Sequence, residues 1–423
     1  REFTTNQSAK KNIIRQRGDI LSYTRNTLKM SMAGTNRQSL GIFVLANEEI
    51  NIYVTGDIND PLPKIRFSQY IGHYSNWLGN EINLIKGKQS FVCNNFNVTK
   101  YEIKVKSGGP IYISNPYTSE EQSQNVKVYI EGGKIIPSFR LGESDEDEYK
   151  NFLEEYVEMI KNNEDYLDIT ELFGFRSMMT VPASLAYNIY KDPNKSPIKN
   201  LNTWDEYIKQ LYKFDGVQYN PSEPYYNIKN VYTNLHIRYS QPFGAAYAAN
   251  EHIGIFSTDW LNSAIFGTVF GWGFAHEIGH MMDINERTVI ENSNNMISKY
   301  EETFIRKEGS RGEFAKSLLY LTPNDIDVLD RGCENSSNEC KGFFTNMQMN
   351  YLVWWYIESF FPGYWGKLDN MYRYNYSISQ GMSRTEREIF FTNVITGYDL
   401  GYYFNRWGFF LNNEGIFVPE NAS

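Results

Sequence analysis

Residues 264–295 read AIFGTVFGWGFAHEIGHMMDINERTVIENSNN, and the reading of this stretch decides the fold. At its centre His276, Glu277 and His280 form an HExxH pattern. On a helix, residues four apart lie one turn above each other on one face, so both imidazoles can aim at one metal ion. Glu277 is offset by about 100°, near enough to act on a water held there without being a ligand itself. The apolar run 264–275 predicts a buried helix leading into the pair. Gly271, Gly273 and Gly279 would let other backbone come close to it. The chain has only five histidines. Two of them at this spacing, with an acid after the first, arise by chance far less often than a lone hydrogen-bonded core histidine.

Two histidines and a water leave a catalytic zinc site one protein ligand short. Asp283, three residues after His280, reads either as a partner behind the ligands or as simply polar. MDINE (282–286) reads as the helix end and turn, which leaves Glu286 too close for the chain to come back. From Arg287 the pattern is helical again, with Ile290, Ile297 and Phe304 at helical spacing. Glu291 lies one turn into that second helix and is favoured as the third ligand. Glu301 and Glu302 lie further along and read as solvated. His236 and His252 stay open as rival ligands or transition-state donors, against the plainer reading of buried histidines.

The composition bounds the class. A chain of 423 residues can hold two or three domains and a large core. A net charge of −9, with no Lys/Arg cluster, excludes a nucleic-acid grip. The longest apolar run, 264–275, is too short to span a bilayer. Three cysteines make no disulfide framework. Cys333 and Cys340 bracket a polar loop and could close a small ring, whereas Cys93 reads as a lone buried thiol. The chain starts at Arg1 without Met or signal peptide, as an excised fragment or mature segment would.

Outward from the motif, the rhythm changes along the chain. Residues 1–33 are polar and read as an N-terminal helical segment packed on a neighbour. Residues 34–135 carry short strand runs with turns every eight to twelve residues or so, the mark of a β-sandwich or barrel-like domain. Residues 136–423 form the third unit, mostly helical, opened by the acidic helix start GESDEDE (142–148). TWDEYIKQLYKF (203–214) predicts a helix with Asp205 in its first turn. Just upstream of the motif, residues 232–256 read as strands, with 250–255 as the edge to which an extended substrate would pair. Trp77 and Trp365 are candidate sugar platforms, with core packing the stronger reading of both.

GWGFAHEIGH followed by IENSNN resembles peptidase family M60, the enhancin-like, mucin-degrading metallopeptidases. Trp272 and Gly273 stand where that family carries a Trp-Gly pair. Glu291, Asn294 and Asn295 stand where it carries its glutamate ligand and the asparagines after it. The closing DLGYYFNRWGFF (399–410) is similar to the family's last helix and WGF signature. The spacer MDINERTV departs from the more aromatic one expected. The resemblance covers about residues 41–410 and is closest to clostridial-type secreted zinc metalloproteases. It implies an α+β chain: a β-rich, sandwich-like N-terminal domain, then a zincin-type metallopeptidase domain with a mostly helical C-terminal part. It implies one zinc ion on His276, His280 and Glu291, with Glu277 as the base. It further implies a secreted or cell-surface monomer that cuts O-glycosylated, mucin-type proteins beside a glycosylated Ser or Thr. Substrate contacts would fall to Trp272, Asn295, Asn250 and His252. The rival readings are a general metallopeptidase with no need of glycan and a non-catalytic adhesin for mucin sugars.

Overall fold

The computed structural model describes residues 10–13, 20–56, 62–71, 77–94, 102–104, 108–114, 126–217, 235–240, 246–249, 251–262, 271–288, 292–307 and 351–406. The first part is built from strands β1 (Lys10–Ile13), β2 (Arg37–Val44), β3 (Glu49–Thr55), β4 (Lys64–Phe67), β5 (Ile82–Asn83), β6 (Gly87–Asn94), β7 (Glu102–Lys104), β8 (Gly109–Ser114), β9 (Lys127–Glu131) and β10 (Lys134–Ile135). They make two five-stranded sheets, ordered β1-β9-β3-β6-β7 and β10-β2-β8-β4-β5. β3 shows why they stack. Ile50, Ile52 and Val54 alternate with polar or half-exposed residues, so one face of the strand is apolar. That face meets Ile42, Val44, Ile65 and Ile111 of the other sheet in one core. Cys93 lies in the same core as a free thiol. Burial pushes it up to about 12, so it stays protonated.

The helical reading of residues 1–33 is corrected in part. Lys10–Ile13 is a strand, antiparallel to β9, because β9 offers it an unpaired backbone edge, and a tertiary partner overrides weak local preference.

Three residues after β10 the chain enters a third sheet: β11 (Ser138–Arg140), β12 (Thr170–Phe173), β13 (Ser177–Val181), β14 (Leu235–Tyr239), β15 (Ala246–Ala249) and β16 (His252–Ile255). Its order is β11-β12-β13-β14-β16-β15; β11 and β12 run parallel to each other, and the antiparallel pairs are β12 with β13 and β15 with β16. Three helices are interleaved with its strands, α1 (Glu146–Ile160) between β11 and β12, and α2 (Ala183–Tyr190) and α3 (Pro197–Phe214) between β13 and β14; after β16 come α4 (Gly271–Met282), α5 (Asn295–Tyr300), α6 (Leu352–Phe360), α7 (Tyr364–Tyr374), α8 (Arg384–Thr396) and α9 (Gly401–Arg406). The acidic run does start a helix: the Asp145 side chain caps α1 by accepting from the Glu148 N–H. α3 begins earlier than its pattern suggests, at Ser196-Pro197, a capping Ser followed by Pro at the first helical position. Asp205 therefore sits mid-helix. It is buried and accepts the Phe175 and Arg176 N–H groups at 2.6 and 2.7 Å, which holds the β12–β13 turn.

One sheet of the sandwich is covered on both faces. Phe43 of β2 belongs to the large core of the second part, while its neighbours Ile42 and Val44 face the sandwich core. At this seam Glu171 of β12 is fully buried. The Ser39 hydroxyl donates to it, as do the Tyr112 and Thr180 hydroxyls, each at 3.2 Å. Burial raises its carboxyl to about 7, against the pull of those hydrogen bonds. A raised carboxyl favours folding fully below its unfolded value near 4.5. That contribution is lost as pH rises through about 7. Glu171→Gln should therefore gain stability over the parent chain on going from pH 5 to pH 8.5, on the order of 3 kcal/mol. Buried His236 next to it works in the opposite sense, so the quantity to follow is the variant-minus-parent difference in denaturant unfolding at each pH. A flat difference would exclude an ionising Glu171.

Candidate metal centre

α4 carries the HExxH pattern, and its apolar side faces inward: Phe274, Ala275, Ile278, Met281 and Met282 are buried, while His276, Glu277 and His280 are partly exposed. The helix begins at Gly271 with φ of +82°, a left-handed start open to glycine, and residues 264–270 lie outside the described residues. It ends at Met282, where the spacing puts it. Its last carbonyls are taken by an earlier segment. Ser31 Oγ donates to the His280 carbonyl at 2.9 Å, and the Ser31 and Ala33 N–H groups donate to Asp283 and Met281 at 2.7 and 2.8 Å.

The two ligand candidates come together. Nε2 of His276 and Nε2 of His280 are 3.2 Å apart, with the rings at 88°. Two nitrogens that each bind a tetrahedral zinc at its usual bond length stand roughly 3.3 Å apart, so the pair fits such an ion. Asn295 Oδ1 lies 2.7 Å from His276 Nδ1, and Asn294 Nδ2 lies 3.1 Å from the same atom. An amide oxygen can only accept, so the shorter contact calls for the tautomer protonated at Nδ1, which leaves the Nε2 lone pair for a metal. Asn294 Nδ2 adds a bond to the His276 carbonyl at 3.3 Å.

Gly279 explains how the asparagines get so near. A Cβ there would lie 2.2 Å from the Asn294 carbonyl oxygen, so only glycine lets the 292–295 turn lie on the helix. Gly273 makes room for the Trp260 ring rather than for backbone, and nothing lies within 4 Å of the Cβ position at Gly271. Behind the turn, Ser293 Oγ donates to Asp283 Oδ2 at 2.7 Å, and Arg287 donates to Asp283 Oδ1 at 3.3 Å. Arg287 also pairs with Asp369 at 2.6 Å and lies 3.9 Å over the Trp365 ring. Asp283 thus ties down the turn, one of the two roles open to it in the sequence.

Glu291 lies outside the described residues, as do Asn250, Cys333 and Cys340. Among the described residues no group of three His, Cys, Asp or Glu could hold a metal. Glu286 pairs with Lys29 at 3.6 Å. The second helix starts at Asn295, not Arg287, because residues 292–294 form a turn.

Glu301 and Glu302 are buried rather than solvated. Lys299 pairs with Glu302 at 2.8 Å, and Arg306 with Glu301 at 2.8 Å. Glu301 Oε1 also accepts the Gly271 N–H at 3.2 Å, placing a carboxylate at the start of the motif helix.

His252 is 1% exposed, packed against Trp77 and within 3.3 Å of the Tyr247 hydroxyl. That places it in the interior, away from any substrate surface. His236 is buried too, 2.9 Å from Thr180 Oγ1, and burial holds it well below the usual histidine value. Trp77 and Trp365 are core residues. Trp272 is half-buried against Tyr351. Asn295 is fully buried on His276. The edge strand is corrected as well: β16, residues 252–255, lies between β14 and β15, and β15 is the outer strand among the described residues, packed against α4.

Asn295→Ala should weaken metal affinity by about 10–100-fold, because the ring loses the partner that fixes its tautomer. Asn295→Asp, which keeps an acceptor, should recover most of it. Competition with a chromogenic chelator measures both. Parent-like affinity in Asn295→Ala would remove the role.

A mixed sheet with an outer antiparallel strand, lying beside a helix with two convergent histidines and an acid, is the arrangement of a metallopeptidase. The chain belongs to the family described as Peptidase M60, enhancin and enhancin-like, whose model matches residues 132–408. Solved structures agree in fold. The ZmpB metallopeptidase from Clostridium perfringens is 22% identical, with 96% of this chain and 80% of that one covered and a TM-score of 0.71. The catalytic module of the metalloprotease ZmpA from the same organism is 25% identical over 97% and 78%, with a TM-score of 0.69. The M60 catalytic domain of ZmpC, also from Clostridium perfringens, was solved in complex with the sialyl T antigen. It is 23% identical over 96% and 78%, with a TM-score of 0.70. No curated protein matches the sequence.

Proposed function

We propose that the chain is a zinc endopeptidase that cuts O-glycosylated, mucin-type proteins beside a glycosylated Ser or Thr. The observation that carries the peptidase reading is the 3.2 Å approach of the two Nε2 atoms, with Asn295 holding the proton on the far side of His276. His276, His280 and Glu291 would hold the zinc, which when bound polarises the scissile carbonyl and acidifies the attacking water. Glu277, one residue past the first ligand and partly exposed on the same helix, takes the proton of that water and returns it to the leaving amine. β15 gives an extended substrate a backbone edge to pair with. Burial of Asp283 and Asn295 keeps the support of the site dry, so its hydrogen bonds are not exchanged for water.

Glycan recognition rests on the relative that was solved with the sialyl T antigen. A mucin-type substrate places the enzyme outside the cell, secreted or at the cell surface, where we read it as a monomer. No helix among the described residues is long and apolar enough to cross a membrane. In this reading the chain divides near residue 135 into a β-rich part and a peptidase part that meet at a packed seam.

The test is digestion of an O-glycosylated peptide and its sugar-free twin, followed by mass spectrometry. Cleavage of the glycopeptide alone, next to the modified residue, is expected. Equal cleavage of both would leave a general metallopeptidase, and binding of the glycopeptide with no cleavage would leave an adhesin.

A further inference from the structure

Arg37 is the first residue of β2, in the sandwich, yet its side chain ends in the peptidase sheet. It is 2% exposed. Nη1 pairs with the Glu251 carboxylate, and Nη2 donates to the Glu251 carbonyl at 2.9 Å. Thr35 Oγ1 donates to the same carboxylate at 3.0 Å. The Trp77 ring centre lies 5.2 Å from Arg37 Cζ.

What Arg37 holds is a strained turn. Glu251 has φ of +66°, a region that a residue with a Cβ rarely adopts. It stands in the connection between Ala249 and His252, which pair across β15 and β16. So short a turn sets the register of its hairpin, and a slip of one residue would turn every β15 side chain to the other face. From the other side, the Glu251 N–H donates to the Met32 carbonyl at 2.9 Å. The Met32 and Ala33 N–H groups in turn donate to the Met281 carbonyl at 3.3 and 2.8 Å. One short segment, residues 31–37, therefore ties the hairpin tip to the end of the ligand helix.

We propose that Arg37 is a positioning residue for the substrate: through Glu251 it sets the register and height of β15, the edge on which an extended peptide pairs. This rests on the endopeptidase reading above. The planar guanidinium grips the carboxylate and the carbonyl of one residue at once, and so fixes the orientation of its backbone. An ammonium would keep the charge but lose that fork. The sandwich thus contributes to substrate alignment without touching substrate or metal.

The test uses the full chain as parent, Arg37→Lys and Glu251→Gln. Two glycopeptides share the cut bond: one of about ten residues that can run along β15, and one too short to do so. Metal content and thermal midpoint are measured for every chain. Arg37→Lys should raise KM for the long peptide about tenfold, with kcat/KM for the short one and metal content within about twofold of the parent. Glu251→Gln keeps the carbonyl contact and should move the same way by less, and it decides alone if Arg37→Lys does not fold. Equal losses on both peptides would reduce Arg37 to a structural residue, and an unchanged KM for the long peptide would also overturn the proposal. A parent chain that cuts neither peptide would instead remove the endopeptidase reading beneath it.

Discussion

Glu277→Gln is expected to lower kcat by about 10³-fold while the zinc content stays at the parent level. The amide keeps the volume and polarity of the side chain but takes up no proton. His276 and His280 should keep their convergence, because His276 is fixed by Asn295 and the helix end by the Ser31–Ala33 backbone. The loss should therefore appear in the rate and not in the metal or the fold. Initial rates on a glycopeptide, with metal analysis of the same sample, give the answer. A near-parent rate with full zinc would exclude Glu277 as the base.

Gly279→Ala should be the most damaging single methyl near the site. The added carbon would meet the Asn294 carbonyl oxygen, carbon and Cα at 2.2, 2.8 and 2.9 Å, all main-chain atoms that cannot swing aside. The helix and the 292–295 turn would have to part, which stretches the Asn295–His276 bond and shifts the turn that follows Glu291. Overpacking of this kind against backbone should cost about 3 kcal/mol and at least tenfold in metal affinity. Gly271→Ala is the control. It has open space but a left-handed φ, so about 1 kcal/mol is expected, with metal affinity unchanged. Denaturant unfolding and chelator competition distinguish the two. Parent-like behaviour of Gly279→Ala would mean that the turn does not lie on the helix.

The motif, the helix end at Met282 and the β-rich first part could be read from local pattern, because spacing and alternation act within one element. What could not be read depends on partners far away in the chain. The outer strand is β15 and not residues 250–255, since sheet order is set by pairing across β14 and β16. Lys10–Ile13 became a strand because β9 had an edge to offer. Glu301 and Glu302 looked solvated because acids usually are. A signal for their pairing was present in Lys299 and Arg306, three and five residues from their partners. The place of Asn295 in the sequence puts it at the site, but its role depends on a distant contact: the close approach at Gly279 lets its oxygen reach His276.

Zinc stoichiometry in three purified chains tests the metal centre most directly. The parent should carry about one equivalent, and Glu286→Ala the same, since Glu286 pairs with Lys29. Glu291→Ala should hold less than about a tenth of an equivalent after dialysis, because two histidines alone bind zinc weakly. A Glu291→Ala chain that keeps its full equivalent of zinc would contradict the ligand set of His276, His280 and Glu291.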